Sequence, residues 1–240
     1  MKGFALAGLV LVLPVLAAAE SRPVAPSPES CTPLLTVRKT GCAVEHAYRC
    51  TDGTRLNAKV HIKDGVAEYS SRLSDADYLQ ILSVGVAGAI RYGDVPKSLG
   101  VSQLLAHGGG EGTYAMSFWT PLFVDPLQGT SKVHIEVTDR EFPVDGAVLV
   151  EMRGTVEMQL NAGAIQFSGW GEAHFDPRSG VVFDGSSEVT AFGKFLSGST
   201  EDPIALIYPG EPGFLTDPSP TDCDPVSNLA PATPNPAKEG

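Results

Sequence analysis

Apolar and polar residues alternate with a period of two through most of the chain, in short runs punctuated by Gly, Asn, Asp and Pro. The best-specified run is CAVEHAYRC-TDG-TRLNAKVHI, a hairpin. In its first strand Cys42, Val44, His46, Tyr48 and Cys50 share a face; in its second, Leu56, Ala58, Val60 and Ile62 do. A two-residue Asp52-Gly53 turn would put these apolar sets on opposite faces. A three-residue loop, Thr51 to Gly53, with Gly53 left-handed, pairs Cys50 with Thr54 and Tyr48 with Leu56 and turns both sets toward one core. The spacing favours that register, and it sends His46 and His61 to opposite faces, so they cannot converge on one metal.

A third strand is expected around Val66 to Ser71. Ser74 followed by Asp75 and Asp77 has the form of a helix start, with Tyr78, Leu79, Ile81 and Leu82 as its stripe; the same residues also suit a buried strand. A second short helix is expected over Leu99 to His107, capped by Ser98, with Leu104 and Leu105 inward and Gly108 to Gly110 at its end. From Tyr114 onward the pattern is a meander. Strands are expected near Tyr114–Phe118, Val133–Val137, Ala147–Leu160, Ile165–Phe175, Val181–Phe192 and Ile204–Tyr208. Reversals fall at Asp145-Gly146, Asn161 to Gly163 and Asp176 to Gly180. The fold class is mainly β: a curved antiparallel sheet meander, as an open barrel, half-barrel or sandwich, with one or two short helices. So few helices leave one sheet face concave.

Composition changes the picture at the ends. Residues 1–19, MKGFALAGLVLVLPVLAAA, read as a signal peptide: Lys2, an apolar run and small residues at a cleavage site near Ala19. Residues 20–30 read as a disordered N-terminal segment, 31–224 as a single β-rich domain and 225–240 as a disordered Pro-rich tail. The expected location is periplasmic or secreted, with no transmembrane anchor in the mature protein. The formal net charge of −11, becoming −12 without Lys2, argues against nucleic acid as a partner; it also serves simple solubility.

An oxidising compartment makes disulfides the expected use of Cys31, Cys42, Cys50 and Cys223. On an unbroken strand Cys42 and Cys50 lie about 26 Å apart, beyond disulfide reach. Each then needs Cys31 or Cys223, which staples the terminal segments to the hairpin. A bulge near Glu45 would instead allow Cys42 with Cys50, leaving Cys31 to Cys223.

Catalytic signatures are absent: no GxSxG, HExxH or GxxxxGK[ST] occurs. Gly108 to Gly112 is a loop after a helix, not a phosphate cradle before one. Asp184, Ser186 and Glu188 alternate on one strand, too few oxygens for calcium, and Asp139 to Glu141 is a charged connection. The five histidines read as packed or surface residues. The expectation is no enzyme, no catalytic residue, no metal and no cofactor. Aromatic residues mostly supply core, but Trp119, Leu122, Phe123 and Val124 cluster in a Pro-bearing connection, as a binding loop does. They are the candidate ligand contacts.

At the C-terminus, IYPGEPGFLTDPSPTDC resembles the closing segment of uncharacterised secreted or periplasmic alphaproteobacterial proteins, which end in an aromatic-PGEPGF stretch followed by a cysteine; SLGVSQLLAHG and the meander are similar too. The resemblance implies an exported β-rich fold with a disulfide and no known activity. The expected function is a non-enzymatic binding or envelope-associated protein, its partner an apolar small molecule or lipid, or else an envelope protein. The alternative is a structural or protein-interaction module of the cell envelope. A hydrolase would need a histidine bonded to a carboxylate in a cleft.

Overall fold

The computed structural model describes residues 21–24 and 27–218. The expected signal peptide 1–19, Cys223 and the tail 225–240 lie outside the described residues. The strands are β1 (Cys31–Lys39), β2 (Ala43–Cys50), β3 (Arg55–Lys63), β4 (Val66–Ser74), β5 (Gln80–Gly85) and β6 (Gly88–Tyr92). Helix α1 (Val101–His107) follows, then β7 (Gly109–Trp119), β8 (Leu127–Val144), β9 (Ala147–Leu160), β10 (Ile165–Asp176), β11 (Val181–Ala191), β12 (Lys194–Ser199) and β13 (Pro203–Ile207). They form one antiparallel sheet: β12 back to β1 in unbroken succession, with β13 added beside β1.

That order dictates the curvature. Laid flat at about 4.8 Å per strand, 13 strands would extend about 58 Å from β12 to β13. Only residues 200–202 join those two strands, and that link reaches at most about 14 Å. The sheet must therefore curl until its ends meet. It does not close by a backbone ladder, since β12 and β13 are not neighbours.

Side chains seal the seam. Asn57 Nδ2 donates to the Val182 carbonyl at 2.8 Å, and the Asp184 N–H donates to Glu45 Oε2 at 3.3 Å. These groups belong to the stretch of β11 that β12 leaves unpaired. On the far side, the Leu206 N–H of β13 donates to Asp145 at 3.2 Å. Polar side chains thus occupy backbone groups that an edge would expose.

The hairpin adopts the three-residue loop: the Cys50 N–H donates to the Thr54 carbonyl at 2.9 Å, Tyr48 opposes Leu56, and Gly53 has φ +86°. Its two faces are assigned differently from the sequence expectation. The inner face carries Glu45, Ala47 and Asn57, while His46, Tyr48 and Leu56 lie on the other. That other face is covered nonetheless, because the segment before Asp217 folds across it. The Leu215 N–H donates to Thr36 Oγ1 at 3.0 Å, Thr36 Oγ1 lies 3.0 Å from His46 Nδ1, and Asp217 lies 3.0 Å from His46 Nε2. Residues 215–217 are thereby held against this face.

Cys31 and Cys50 stand opposite each other across β1 and β2 and are bonded. Cys42 is disulfide-bonded as well. Cys42 and Cys50 do not pair with each other.

No helix starts at Ser74. Asp75 accepts N–H groups from Asp77 and Leu79, both at 2.9 Å, forming a turn between β4 and β5. Asp77 instead caps α1 from outside: its Oδ1 accepts the Ser102 N–H, its Oδ2 the Ser102 hydroxyl, and its carbonyl the Val101 N–H. Ser98, the expected cap, donates to the Glu111 carbonyl. Leu104 is buried and Leu105 is exposed; Gly108 ends the helix in the left-handed region.

Two packed layers result. Leu35, Val37, Ala47 and Leu206 pack against Val144, Leu149, Val181 and Phe183. On the opposite face of β9 and β11, Met152 and Val182 pack against Val101 and Leu104 of α1. The sheet is covered on both faces here and opens elsewhere.

Candidate functional site

Strands β8 and β9 show how the inner face arises. Lys132, His134 and Glu136 alternate with Ser131, Val133 and Ile135; Arg153, Thr155 and Glu157 alternate with Met152, Gly154, Val156 and Met158. The first set in each strand is exposed and the second half-buried or buried. The second sets face a cavity of about 370 Å³, within the roughly 300–1,000 Å³ of small-molecule sites.

Seven strands beyond these two also contribute to its wall, with Gln80 coming from β5. Asn57 comes from β3, Arg72 from β4, Ile90 and Tyr92 from β6, Tyr114 from β7, Ala173 from β10, and Val182 and Asp184 from β11. Val101 and Leu104 of α1 and Tyr78 and Leu79 of the β4–β5 turn complete it. Two glycines account for part of the volume. Gly154 and Gly171 oppose each other across β9 and β10, and a Cβ on either would meet nothing closer than 3.5 and 3.6 Å. Neither is required by its backbone, so the missing side chains leave space.

The floor is polar and already engaged. Arg72 is ion-paired with Asp184. Asn57 donates to both Glu45 and Val182, and the Tyr78 hydroxyl donates to the Gly180 carbonyl at 2.8 Å. Tyr92 packs edge-on to Tyr114 at 5.8 Å. Burial holds the Tyr92 phenol above its ordinary pKa, with Tyr114 adding to the effect and Arg72 opposing it. Among the described residues its hydroxyl has no hydrogen-bond partner.

Behind the floor, Lys39 contacts Glu45 and lies 3.6 Å from Glu201, which accepts from Lys59 at 2.9 Å. Burial alone would raise the Glu45 carboxyl; Lys39 and Arg72 more than reverse that and hold it below the usual range. The signs alternate around this network, which joins β1, β2 and β3 to the 200–202 link.

The candidate contacts lie elsewhere. Trp119 is buried near the end of β7, with Arg91 5.4 Å from its ring centre. Leu122, Phe123 and Val124 are exposed in the β7–β8 connection. None of the four lines the cavity: Trp119 is the last residue of β7, and the other three lie in the connection beyond it. Sequence reasoning missed the residues that do line it. Their signal was present in the alternation of β8 and β9 and in the inward glycines.

The remaining polar candidates are also dispersed. Asp184 pairs with Arg72, whereas Ser186 donates to Asp202 at 3.1 Å. A bulge between Ala173 and Gly171 breaks the alternation expected for Asp184, Ser186 and Glu188. His134 Nε2 lies 3.2 Å from Glu136 Oε1 in an open surface recess that Arg153, Trp170 and Glu172 also line, both side chains being largely exposed, whereas His174 is buried between Phe142 and Phe183 with neither ring nitrogen hydrogen-bonded. Among the described residues no three His, Cys, Asp or Glu side chains are grouped to hold a metal ion, and no helix is long and apolar enough to cross a membrane. Comparison of the chain with protein-family models, with curated proteins and with solved structures gave no match.

Proposed function

We propose that this is an exported, non-enzymatic binding protein that holds the apolar part of a small molecule or lipid within its curved sheet. The observation that carries the reading is the cavity itself: a mostly apolar hollow on the inner face of the meander, with space left at paired glycines. A domain stabilised only by packing would gain by filling it. The disulfide between Cys31 and Cys50 supports an oxidising location.

Nile red, a neutral apolar fluorophore, tests the reading. The purified protein should bind it saturably, and Gly154→Leu should weaken binding at least about tenfold, equivalent to about 1.4 kcal/mol. Gln159→Leu, exposed on the same strand and not among the residues lining the cavity, should leave binding unchanged. Circular dichroism and thermal midpoints establish that both variants fold. Failure to saturate, or equal losses in both variants, would overturn the reading.

A second reading rests on exposed apolar surface. Phe195 and Leu196 lie exposed on the edge strand β12, and Leu122, Phe123 and Val124 protrude from the β7–β8 connection. Such features suit an interaction module of the envelope. Pull-down from periplasmic extract with Phe123→Ala separates the two: loss of a protein partner with Nile red binding intact supports the module.

A further inference from the structure

We infer that the cavity selects an uncharged oxygen-bearing amphiphile, such as a long-chain alcohol or ester, over a carboxylate or a quaternary amine, with Asp184 as the residue that sets this selectivity. The inference rests on the binding function proposed above.

Three charged side chains line the cavity: Arg72, Asp184 and Glu172. Each has an opposite partner, Arg72 with Asp184 and Glu172 with Arg153 at 3.2 Å. An anionic headgroup would enter a space whose cation is already neutralised and whose nearest other charges include two carboxylates. It would lose its hydration without gaining a free counter-charge. A cationic headgroup would face Asp184 only by separating it from Arg72, leaving the guanidinium without its partner.

A neutral oxygen meets no such penalty. The Tyr92 hydroxyl, on the same wall as Arg72, has no hydrogen-bond partner among the described residues. It can donate to an alcohol or carbonyl oxygen, while the methylene chain lies against Ile90, Val133, Val156 and Met158. The Asn57 donors cannot substitute, because both are engaged by Glu45 and Val182.

Competition against Nile red with three twelve-carbon probes at pH 8 tests the assignment. 1-Dodecanol should compete at least about tenfold better than dodecanoate or dodecyltrimethylammonium. Asp184→Asn, which frees Arg72, should improve dodecanoate about tenfold or more while changing dodecanol less than about threefold. Tyr92→Phe should weaken dodecanol several-fold more than it weakens Nile red. If Asp184→Asn does not fold, the charge-free pair Arg72→Met with Asp184→Leu must keep the preference for dodecanol. A charged probe that equals or exceeds dodecanol on the unaltered protein overturns the inference and leaves the binding function intact. Nile red binding that no probe displaces overturns both.

Discussion

Strands β8–β10 and strands β1–β3 follow the same hairpin logic, yet their two faces are used differently. In β8 and β9 one face meets solvent and the other the cavity, so exposed and covered residues alternate along most of their length. In β2 all five residues from Ala43 to Ala47 are buried. The outer set packs beneath the segment before Asp217, and the inner set includes Glu45 in a charged seam. Alternation reports that two faces differ. It identifies the inner one only where the other is left in water.

The sharpest way to break this comparison is to remove a charge from each region. Glu45→Gln takes the compensating carboxylate from buried Lys39 and weakens the seal on β11, so about 3–5 kcal/mol of stability should be lost. Glu157→Gln, on the exposed face of β9, should change stability by less than about 0.5 kcal/mol. Urea denaturation measures both. Similar losses would show that the seam is not what holds the curled sheet.

His174 gives the next largest effect, and it depends on pH. Burial, opposed by Glu151, lowers its pKa from 6.5 to about 4. The folded protein therefore favours the neutral ring, and the unfolded chain binds more protons between those values. Stability is fully present above about pH 6.5 and declines as pH falls toward 4, by about 3 kcal/mol in all. His174→Leu should remove that component, so the stability difference between the two proteins must narrow or reverse across this window. A constant difference would show that His174 does not titrate with folding.

The disulfide probes the hairpin end. Cys31 and Cys50 are 19 residues apart, and the loop-entropy relation gives about 3 kcal/mol for such a closure. Replacing both by Ser should lower the urea midpoint accordingly without changing Nile red binding, since neither residue lines the cavity. A parallel loss of binding would mean that the hairpin end shapes the cavity.

What the sequence disclosed follows the same division. The limits of β9, Ala147 to Leu160, match the expected run because polar residues mark its outer face. β1 carries Leu34 and Leu35 together and is covered on both sides, so no alternation announced it. Strands β5 and β6 are short, and β12 is exposed along nearly its whole length, so none of the three presents a contrast between a covered face and a solvent face. Ser74, Asp75 and Asp77 misled for a physical reason: a carboxylate that accepts nearby N–H groups forms a turn as readily as a cap. Here Asp77 caps a helix 24 residues further on, a pairing that only the folded chain brings together. The cavity was half legible, since alternation names the inward residues but not whether opposite walls touch.

The smallest effect tests the outer cover of β2. Thr36→Val keeps shape but removes the acceptor for the Leu215 N–H and the neighbour of His46 Nδ1. A loss of about 1–2 kcal/mol is expected, concentrated in the C-terminal segment because the β1–β2 backbone pairing is untouched. Hydrogen exchange should then accelerate at the Leu215 amide while Glu45 and Asn57 keep their protection. If exchange instead rose at both, the two faces of β2 would form one cooperative unit, and the distinction between an inner charged seam and an outer apolar cover would describe position alone. If neither changed, the cover would depend on apolar contact between the segment and the His46 face, with Thr36 contributing only its volume.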